Sequence, residues 1–141
     1  MLMSISVARP VKWLSQLKNI KMKNINKVKK QHIVRRQIRT RAKMTGTAQK
    51  PRVSVFRSLM HISVQAIDDV RGVTLAASSD KSLSLAAKLS PIAKAHKVGE
   101  DFGKKLQAKN IANIIFDRGA YKYHGRVKSL AEGIRKEGIN F

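Results

Sequence analysis

The side chains best suited to bind or transform another molecule are concentrated between Phe116 and Val127, in the stretch FDRGAYKYHGRV. Two tyrosines, a histidine, two arginines and a lysine surround Gly119 and Gly125 there. Cationic and aromatic groups can hold phosphates and stack on nucleobases. A histidine can also act as a general base. The stretch therefore allows two kinds of chemistry, recognition of an anionic ligand and acid–base catalysis.

The spacing of the two glycines does not match a nucleotide-binding loop. A Walker loop has four residues between its glycines, followed by Lys and then Ser or Thr. Here five residues separate Gly119 from Gly125, and Arg126-Val127 follow. No G-x-G-x-x-G sequence occurs in the chain. We therefore expect neither nucleotide hydrolysis nor a dinucleotide cofactor.

A catalytic role for His124 requires an orienting acid and a nucleophile within hydrogen-bond reach. Asp117 and Ser129 lie nearby along the chain, but such a triple often arises by chance. An RNA-modifying or RNA-cleaving enzyme that uses His124 remains an alternative to a non-enzymatic binding protein. No metal or other cofactor is expected, because the histidines lack the spacing of metal ligands; they are His32, His61, His96 and His124.

Charge is the unusual property of this composition. The chain of 141 residues has 30 Lys and Arg against 8 Asp and Glu, a net charge of +22. No acid precedes Asp68, whereas sixteen of the basic residues do. Such an excess opposes compaction and favours an anionic partner. The distribution indicates a basic arm that leads into a more balanced domain.

The composition also excludes several classes of protein. The chain has no cysteine, which excludes disulfides, thiolate catalysis and cysteine-ligated zinc. No apolar run approaches the roughly 20 residues that cross a bilayer. A membrane-surface helix would need a strong apolar face opposite its basic one, and residues 22–44 have only a weak apolar stripe. We therefore expect no membrane partner, and nucleic acid is the favoured one.

Apolar periodicity predicts the elements that must position the loop. Strands and helices alternate in a pattern typical of a mixed α+β fold within the broad α/β class. We expect a small, mostly antiparallel sheet layered with helices and preceded by a basic N-terminal helical arm. The predicted helices span residues 22–44, 90–109 and 127–138, and the predicted strands span residues 51–57, 61–67, 73–78 and 111–116.

Two of the strands are predicted to form a hairpin. Pairing Arg57 with Met60 places Val55 opposite Ile62, so that apolar residues share one face. The other face carries Arg, Ser, Phe, His and Gln and is expected to stay open. The helical residues predicted to join the core are Ala95, Val98, Phe102, Leu106, Val127, Leu130, Ala131 and Ile134.

The predicted organisation has three parts, an extension at 1–21, a basic RNA-binding arm at 22–47 and a globular α/β RNA-binding domain at 48–141. The role of residues 1–21 is open. The segment has no acid and carries Ser and Arg, which also fits an organellar transit peptide. Met22 is an alternative start to Met1.

RNA binding uses more of the loop than catalysis does. Arg118, Lys122 and Arg126 can contact phosphates, while Tyr121 and Tyr123 offer faces for stacking and polar tips for 2′-hydroxyls. Glycine allows two backbones to approach closely. Sequence-specific DNA reading has no zinc finger, basic zipper or clear helix-turn-helix to support it.

Four segments together resemble a known family, the bacterial-type ribosomal protein L18. They are RTRAKMTGTAQKPRVSVFRS, HISVQAIDD, GVTLAASS and FDRGAYKYHGRVKSLAEGIRKEGINF. The resemblance covers residues 35–141. It implies a non-enzymatic constituent of the large ribosomal subunit that binds 5S rRNA and helps attach it to 23S rRNA in the central protuberance. The implied partners are these two RNAs and neighbouring large-subunit proteins, with no small-molecule substrate. The implied location is the cytoplasmic ribosome, or an organellar ribosome if residues 1–21 are a transit peptide.

The resemblance also implies which residues contact RNA, in three groups. The arm contributes Arg35, Arg36, Arg39, Arg41 and Lys43. The loop contributes Arg118, Tyr121, Lys122, Tyr123, His124 and Arg126. The hairpin contributes Arg57, Ser58, His61 and Gln65.

Two positions depart from the family pattern. Ala120 stands where a second glycine is usual, so alanine would be strained if the loop needs a positive φ there. Ser63 stands where an aromatic residue is common, so a stacking or packing contact is in question at that position.

Overall fold

The structure is a computed structural model that describes residues 12–85 and 89–141. Three helices and four strands confirm the predicted α+β class. In chain order they are α1 (Lys12–Arg41), β1 (Arg52–Arg57), β2 (Ile62–Asp68), β3 (Val73–Ser79), α2 (Pro91–Gln107), β4 (Ile115–Asp117) and α3 (Arg126–Lys136). The part of the predicted extension before Lys12 lies outside the described residues.

The four strands form one sheet in the order β3-β2-β1-β4. The first three are antiparallel neighbours, and β4 runs parallel to β1. The predicted strand at 111–116 is thus shorter and later than expected. Before β4, Ile111 and Ile114 are buried in the core, and Asn113 forms an isolated parallel bridge with Asn140 outside the sheet.

The core lies on the face of the sheet that the hairpin pattern predicted. Val53 and Val64 are fully buried, whereas Phe56 and Gln65 on the opposite face are exposed. The buried face packs against the helical layer, and all eight predicted helical core residues are fully buried. Their spacing of three and four places them on one side of each helix.

The predicted register of the hairpin is wrong by two residues. Arg57 pairs with Ile62 and Val55 pairs with Val64. The turn is two residues longer than expected because Ser58 and His61 close it. The Ser58 N–H donates to the His61 carbonyl at 2.9 Å, and the His61 N–H donates to Ser58 Oγ at 2.9 Å. A shift of two residues keeps every side chain on its predicted face.

The helices α2 and α3 approach each other closely where neither has a side chain. A Cβ at Gly99 would collide with the Leu130 carbonyl oxygen, and one at Gly133 would collide with the His96 carbonyl oxygen. Ser90 caps α2 through a hydrogen bond from the Ala93 N–H, and Pro91 occupies the first turn as predicted. This close contact fixes the position of α3, which begins directly after the loop that follows β4.

The chain divides into two units, at the boundary between Arg35 and Arg36. The second unit contains the last turn of α1 together with the sheet and the other two helices. In the described parts of the chain, no helix is long and apolar enough to cross a membrane.

Candidate nucleic-acid interface

The loop between β4 and α3 is shaped by two glycines. Gly119 has φ 60° and Gly125 has φ 54° with ψ −125°, a backbone conformation that residues with a Cβ rarely adopt. Gly125 directly precedes the first residue of α3. Ala120 is not among the described residues with positive φ. The substitution of the family's glycine therefore leaves this loop unstrained.

The loop starts at a buried carboxylate that gathers distant parts of the chain. Asp117 is fully buried, and its Oδ2 accepts hydrogen bonds from Arg41 Nε at 2.8 Å and from Arg52 Nη1 at 3.1 Å. Its Oδ1 accepts the N–H of Gly119 at 2.7 Å. Thr40 Oγ1 also donates to the Gly119 carbonyl at 3.2 Å. These bonds fasten the last turn of α1 to the start of the loop.

A second carboxylate extends this network to the segment that follows the arm. Asp69 accepts Arg52 Nη2 at 2.6 Å and Arg52 Nε at 2.8 Å, and it accepts the Gly46 N–H at 2.8 Å. The hydrogen bonds from Arg52, outweighing partial burial, lower the pKa of Asp69 to about 2. Two arginines thus meet two carboxylates, Asp69 and Asp117. The cluster is nearly neutral, so Arg41 and Arg52 hold the last turn of α1 to β1 and the loop rather than add free positive charge.

Tyr121 joins the loop to the hairpin. Its hydroxyl accepts the Arg57 N–H at 3.2 Å and donates to the Arg57 carbonyl at 3.1 Å. The guanidinium of Arg57 lies 5.1 Å from the centre of the Tyr121 ring, within the range of a cation–π contact. Tyr121 is also packed against the hydrophobic core. These contacts give Tyr121 a positioning role inside the protein.

Tyr123 is more exposed and lies against an aromatic group at the chain terminus. Its ring meets Phe116 edge-on at 6.2 Å, and Phe116 stacks on Phe141 at 5.1 Å. Arg135 Nη1 donates to the Tyr123 hydroxyl at 3.0 Å, and its guanidinium lies 4.4 Å from the centre of the Phe141 ring. Tyr123 remains 41% exposed, so part of its ring is available to a ligand.

Two loop arginines bind backbone carbonyls and keep their charge. Arg118 Nη1 donates to the Tyr121 carbonyl at 2.7 Å. Arg126 donates to the carbonyls of Ser58 at 3.0 Å and Leu59 at 3.2 Å. A carbonyl does not neutralise a guanidinium, and three or more of its five N–H groups stay free. Each side chain therefore supports the loop or hairpin turn while presenting a cation to solvent.

Lys122 and His124 are exposed, and among the described residues their side chains make no hydrogen bond or ion pair. The catalytic triple considered for His124 is not assembled. Asp117 is engaged by Arg41 and Arg52, and Ser129 donates to the Ile92 carbonyl at 3.0 Å. In the described parts of the chain, no group of three or more His, Cys, Asp or Glu could hold a metal ion.

The arm presents its cations to solvent. The exposed residues predicted to contact RNA here are Arg35, Arg36, Arg39 and Lys43. Within the described chain, none of these four side chains has a carboxylate partner. Arg41 is the exception, because it pairs with Asp117 while remaining 42% exposed.

The hairpin residues are divided between the turn and the open face of the sheet. Ser58 helps to close the turn, and Gln65 is exposed on the open face. His61 Nδ1 lies 2.9 Å from Asp80 Oδ2, a pairing that the sequence pattern did not indicate. Ser63 is partly buried on the open face, where it is paired across the strands with Phe56. The sequence analysis also missed Arg52 and Arg135, since only the fold shows what they touch.

The structure thus joins three separate basic segments, the end of α1, the β4–α3 loop and the β1–β2 turn, through Asp117, Tyr121 and Arg126. An excess of unpaired cations on an α+β scaffold is typical of proteins that bind a polyanion. The comparisons with known proteins agree with this class. A sequence model of the family described as ribosomal L18 of archaea, bacteria, mitochondria and chloroplast matches residues 27–141.

Individual relatives extend the match. The large ribosomal subunit protein uL18 of Staphylococcus aureus strains JH9, Newman and JH1 is in each case 48% identical over 118 residues, which cover 83% of this chain and 99% of the relative. The chain belongs to the ribosomal L18 family. The predicted family is therefore confirmed, and the protein is a ribosomal protein.

Proposed function

We propose that this protein is a structural constituent of the large ribosomal subunit that binds 5S rRNA and helps attach it to 23S rRNA in the central protuberance. Family membership supports the ribosomal role. The observation that carries the RNA-binding part is the joined basic surface formed by the end of α1, the β4–α3 loop and the β1–β2 turn. Its neighbours in the assembly would be other large-subunit proteins of the central protuberance.

The cations on this surface divide into two kinds with different roles. Arg41 and Arg52 are paired with buried or half-buried carboxylates, so they hold the surface in shape. The exposed arm cations and Lys122 are unpaired among the described residues and are available to phosphates. Arg118 and Arg126 serve both purposes, because they bind carbonyls yet keep their charge. The scaffold therefore orients the free charge of the loop and of the last turn of α1.

The shape of the loop suits folded RNA more than a featureless polyanion. Half-exposed Tyr123 and exposed His124 present aromatic faces beside Lys122. Aromatic faces recognise unstacked bases, which occur in RNA loops and bulges. We expect the protein to prefer 5S rRNA to an arbitrary polyanion of equal length. Equal affinity for the two would contradict the proposal.

The experiment that tests the basic surface compares two triple variants. In the first, Arg35, Arg36 and Arg39 of α1 are replaced by Ala. In the matched control, the exposed residues Lys97, Lys104 and Lys109 at the other layer of the fold are replaced by Ala. Both variants lose three positive charges. The affinity for 5S rRNA is measured by filter binding across a series of salt concentrations.

We expect the affinity of the wild type to fall steeply with salt, because neutralised phosphates release counterions. The α1 variant should lose roughly 2 from the log–log slope, since each phosphate contact contributes about 0.7–0.9. The control should keep the wild-type slope. If both variants lose equally, net charge and not the proposed surface accounts for binding.

The alternative enzyme is tested with the same preparation. Incubation with rRNA should yield no cleaved or modified product, since the groups around His124 do not form a catalytic triple. Products that disappear in His124→Ala would favour the enzyme. The mass of the N-terminus of the protein isolated from ribosomes would show whether residues 1–21 are removed, as an organellar location requires.

A further inference from the structure

A groove on the open face of the sheet shares Ser58 and His61 with the interface described above, whereas Phe56, Asp80 and Lys81 in its lining have no role there. It has a volume of about 490 Å³ and lies between β1, β2 and the end of β3. Its lining includes Phe56, Ser58, His61, Ser63, Asp80 and Lys81. The groove therefore sets several polar groups within a mostly apolar surface that includes the Phe56 ring.

Phe56 is the first unusual feature of this groove. Its side chain is 62% exposed on a strand whose other apolar residues, Val53 and Val55, are buried. In the described structure its ring makes no aromatic contact, unlike Phe116 at the loop. A flat ring exposed on the open face of a sheet is the arrangement on which RNA-binding modules stack bases.

The second feature is a buried carboxylate at the other side of the groove. Asp80 is 7% exposed, and its Oδ2 lies 2.9 Å from His61 Nδ1. The contact with Asp80 engages the Nδ1 atom of the His61 ring. This bond orients the imidazole, which is 45% exposed, and leaves Nε2 as its second polar atom. His61 is thus held as a rigid recognition group.

The remaining carboxylate oxygen has no hydrogen-bond donor. Asp80 Oδ1 is buried and unpartnered among the described residues. Buried polar atoms are nearly always satisfied, and an exception calls for an explanation such as a missing ligand. The side chain lines the groove, so an N–H group that enters there is a suitable donor. The exposed Lys81 beside it can receive a phosphate.

We propose that this groove receives one unstacked nucleobase that carries an exocyclic amino group. The base lies on the Phe56 ring and turns its amino edge toward the His61–Asp80 pair, while Lys81 contacts the adjoining phosphate. The proposal rests on the proposed RNA-binding function and deepens it by naming a base-reading site. A nucleotide is favoured over a protein segment because the chain carries +22 and the groove offers an acceptor beside a cation.

The test uses the full chain and 5S rRNA. Affinity is measured by filter binding, and base reactivity is measured with dimethyl sulfate and kethoxal, which report on the edges of unpaired bases. The variants are Phe56→Ala, which removes the stacking platform, and Asp80→Asn, which keeps the shape but replaces an acceptor oxygen by a donor. Val73→Ala is the control, because Val73 is also an exposed apolar residue of this sheet but lies outside the groove.

We expect the wild type to protect one unpaired adenine, cytosine or guanine that Phe56→Ala leaves reactive. Phe56→Ala should weaken binding about tenfold, in the range seen when a stacking side chain is removed. Asp80→Asn should reduce the protection, and Val73→Ala should change neither measurement. Because Phe56 is exposed, its variant should fold normally, which circular dichroism checks independently of Asp80→Asn.

The outcomes separate this proposal from the proposed function. Tight 5S rRNA binding with affinity and protection unchanged in Phe56→Ala would overturn the groove and leave the function standing. If the wild type shows no preference for 5S rRNA, the function fails. The groove proposal is then tested with fluorescent single-stranded hexanucleotides. It is supported if cytidine or adenosine oligomers bind more tightly than uridine oligomers and if Phe56→Ala removes this preference. Equal binding by the variant overturns it.

Discussion

Two helices of this protein, α1 and α2, differ in the exposure of their apolar side chains. In α2, the apolar residues Ala95, Val98, Phe102 and Leu106 are fully buried. In α1, the large apolar residues from position 25 onward are 43–64% exposed; they are Ile25, Val28, Ile33, Val34 and Ile38. The helix α2 is stabilised by packing against the core. The described side chains of α1 have no such support.

The difference supports the proposal that α1 binds a partner outside this chain. Like charges three or four residues apart destabilise an isolated helix, and α1 has no acidic residue in its sequence. We expect most of α1 to fray in the free protein and to become ordered on RNA. Within the packed unit, the last turn of α1 is fastened through Thr40 and Arg41.

The largest expected effect separates the two helices by stability. Phe102→Ala should lower the free energy of unfolding by about 3–5 kcal/mol, because it leaves a cavity in the core. The matched change Ile38→Ala in α1 should alter it by less than about 0.5 kcal/mol, as is usual at exposed sites. Urea denaturation measures both. Comparable losses in the two variants would break the comparison by showing that α1 is packed.

The next effect concerns the single fastened turn of α1. Asp117→Asn keeps the shape of the side chain but removes the charge that Arg41 and Arg52 share, so we expect a loss of about 2–3 kcal/mol. Glu132→Gln is the control, because Glu132 forms an exposed ion pair with Lys128 of the kind that contributes about 0–1 kcal/mol. Urea denaturation again gives the values. Equal small effects would mean that the network around Asp117 is not structural.

A smaller effect is expected in the free energy of unfolding at acid pH. The hydrogen bonds from Arg52 lower the pKa of Asp69 from 3.8 to about 2. The unfolded chain therefore binds a proton at a pH where the native carboxylate does not. The stabilisation from Asp69 is complete above about pH 4 and is lost as the pH falls through 2.

Urea midpoints measured between pH 5 and pH 2 test this expectation. They should fall more steeply in the wild type than in Asp69→Asn, which has no proton to gain at this position. Parallel curves for the two proteins would show that the Arg52–Asp69 pair does not contribute. We expect the Asp69→Asn substitution not to change the exposure of the apolar residues of α1, so the test concerns only the packed unit.

The smallest effect is expected at Ala120. Since this residue does not adopt a positive φ, glycine offers no relief of strain. Ala120→Gly should lower stability by about 0.5–1 kcal/mol or less through the added freedom of the unfolded chain. The affinity for 5S rRNA, measured by filter binding, should stay within about twofold. A clear gain in stability or affinity would show that alanine strains the loop.

The sequence predicted much of the fold because periodicity is a local signal. The core faces of both packed helices and of the hairpin were correct, down to Phe102 and Val64. The register was wrong because it depends on turn length, which the bonds between Ser58 and His61 decide. The strand predicted at 111–116 shortened to Ile115–Asp117, because burial without ladder pairing gives the same apolar run.

The candidate site was predicted from residue types alone. The structure divides these residues into those exposed to a ligand and those bonded within the protein. The side chains of Lys122 and His124 are available to bind RNA, as the sequence analysis predicted for all six loop residues. Tyr121 and Arg126 are bonded to the hairpin instead. Nothing in their local sequence distinguishes these two pairs, because their partners lie more than 60 residues away.

By itself, the sequence determined the anionic nature of the partner, the family and the faces of most elements, since charge and apolar spacing are properties of the chain read in order. Only the tertiary structure decided which cations are paired with carboxylates inside the protein and which remain available to RNA. The reason is that a guanidinium is neutralised only by a carboxylate within a few ångströms, and folding alone brings Asp117 to Arg41.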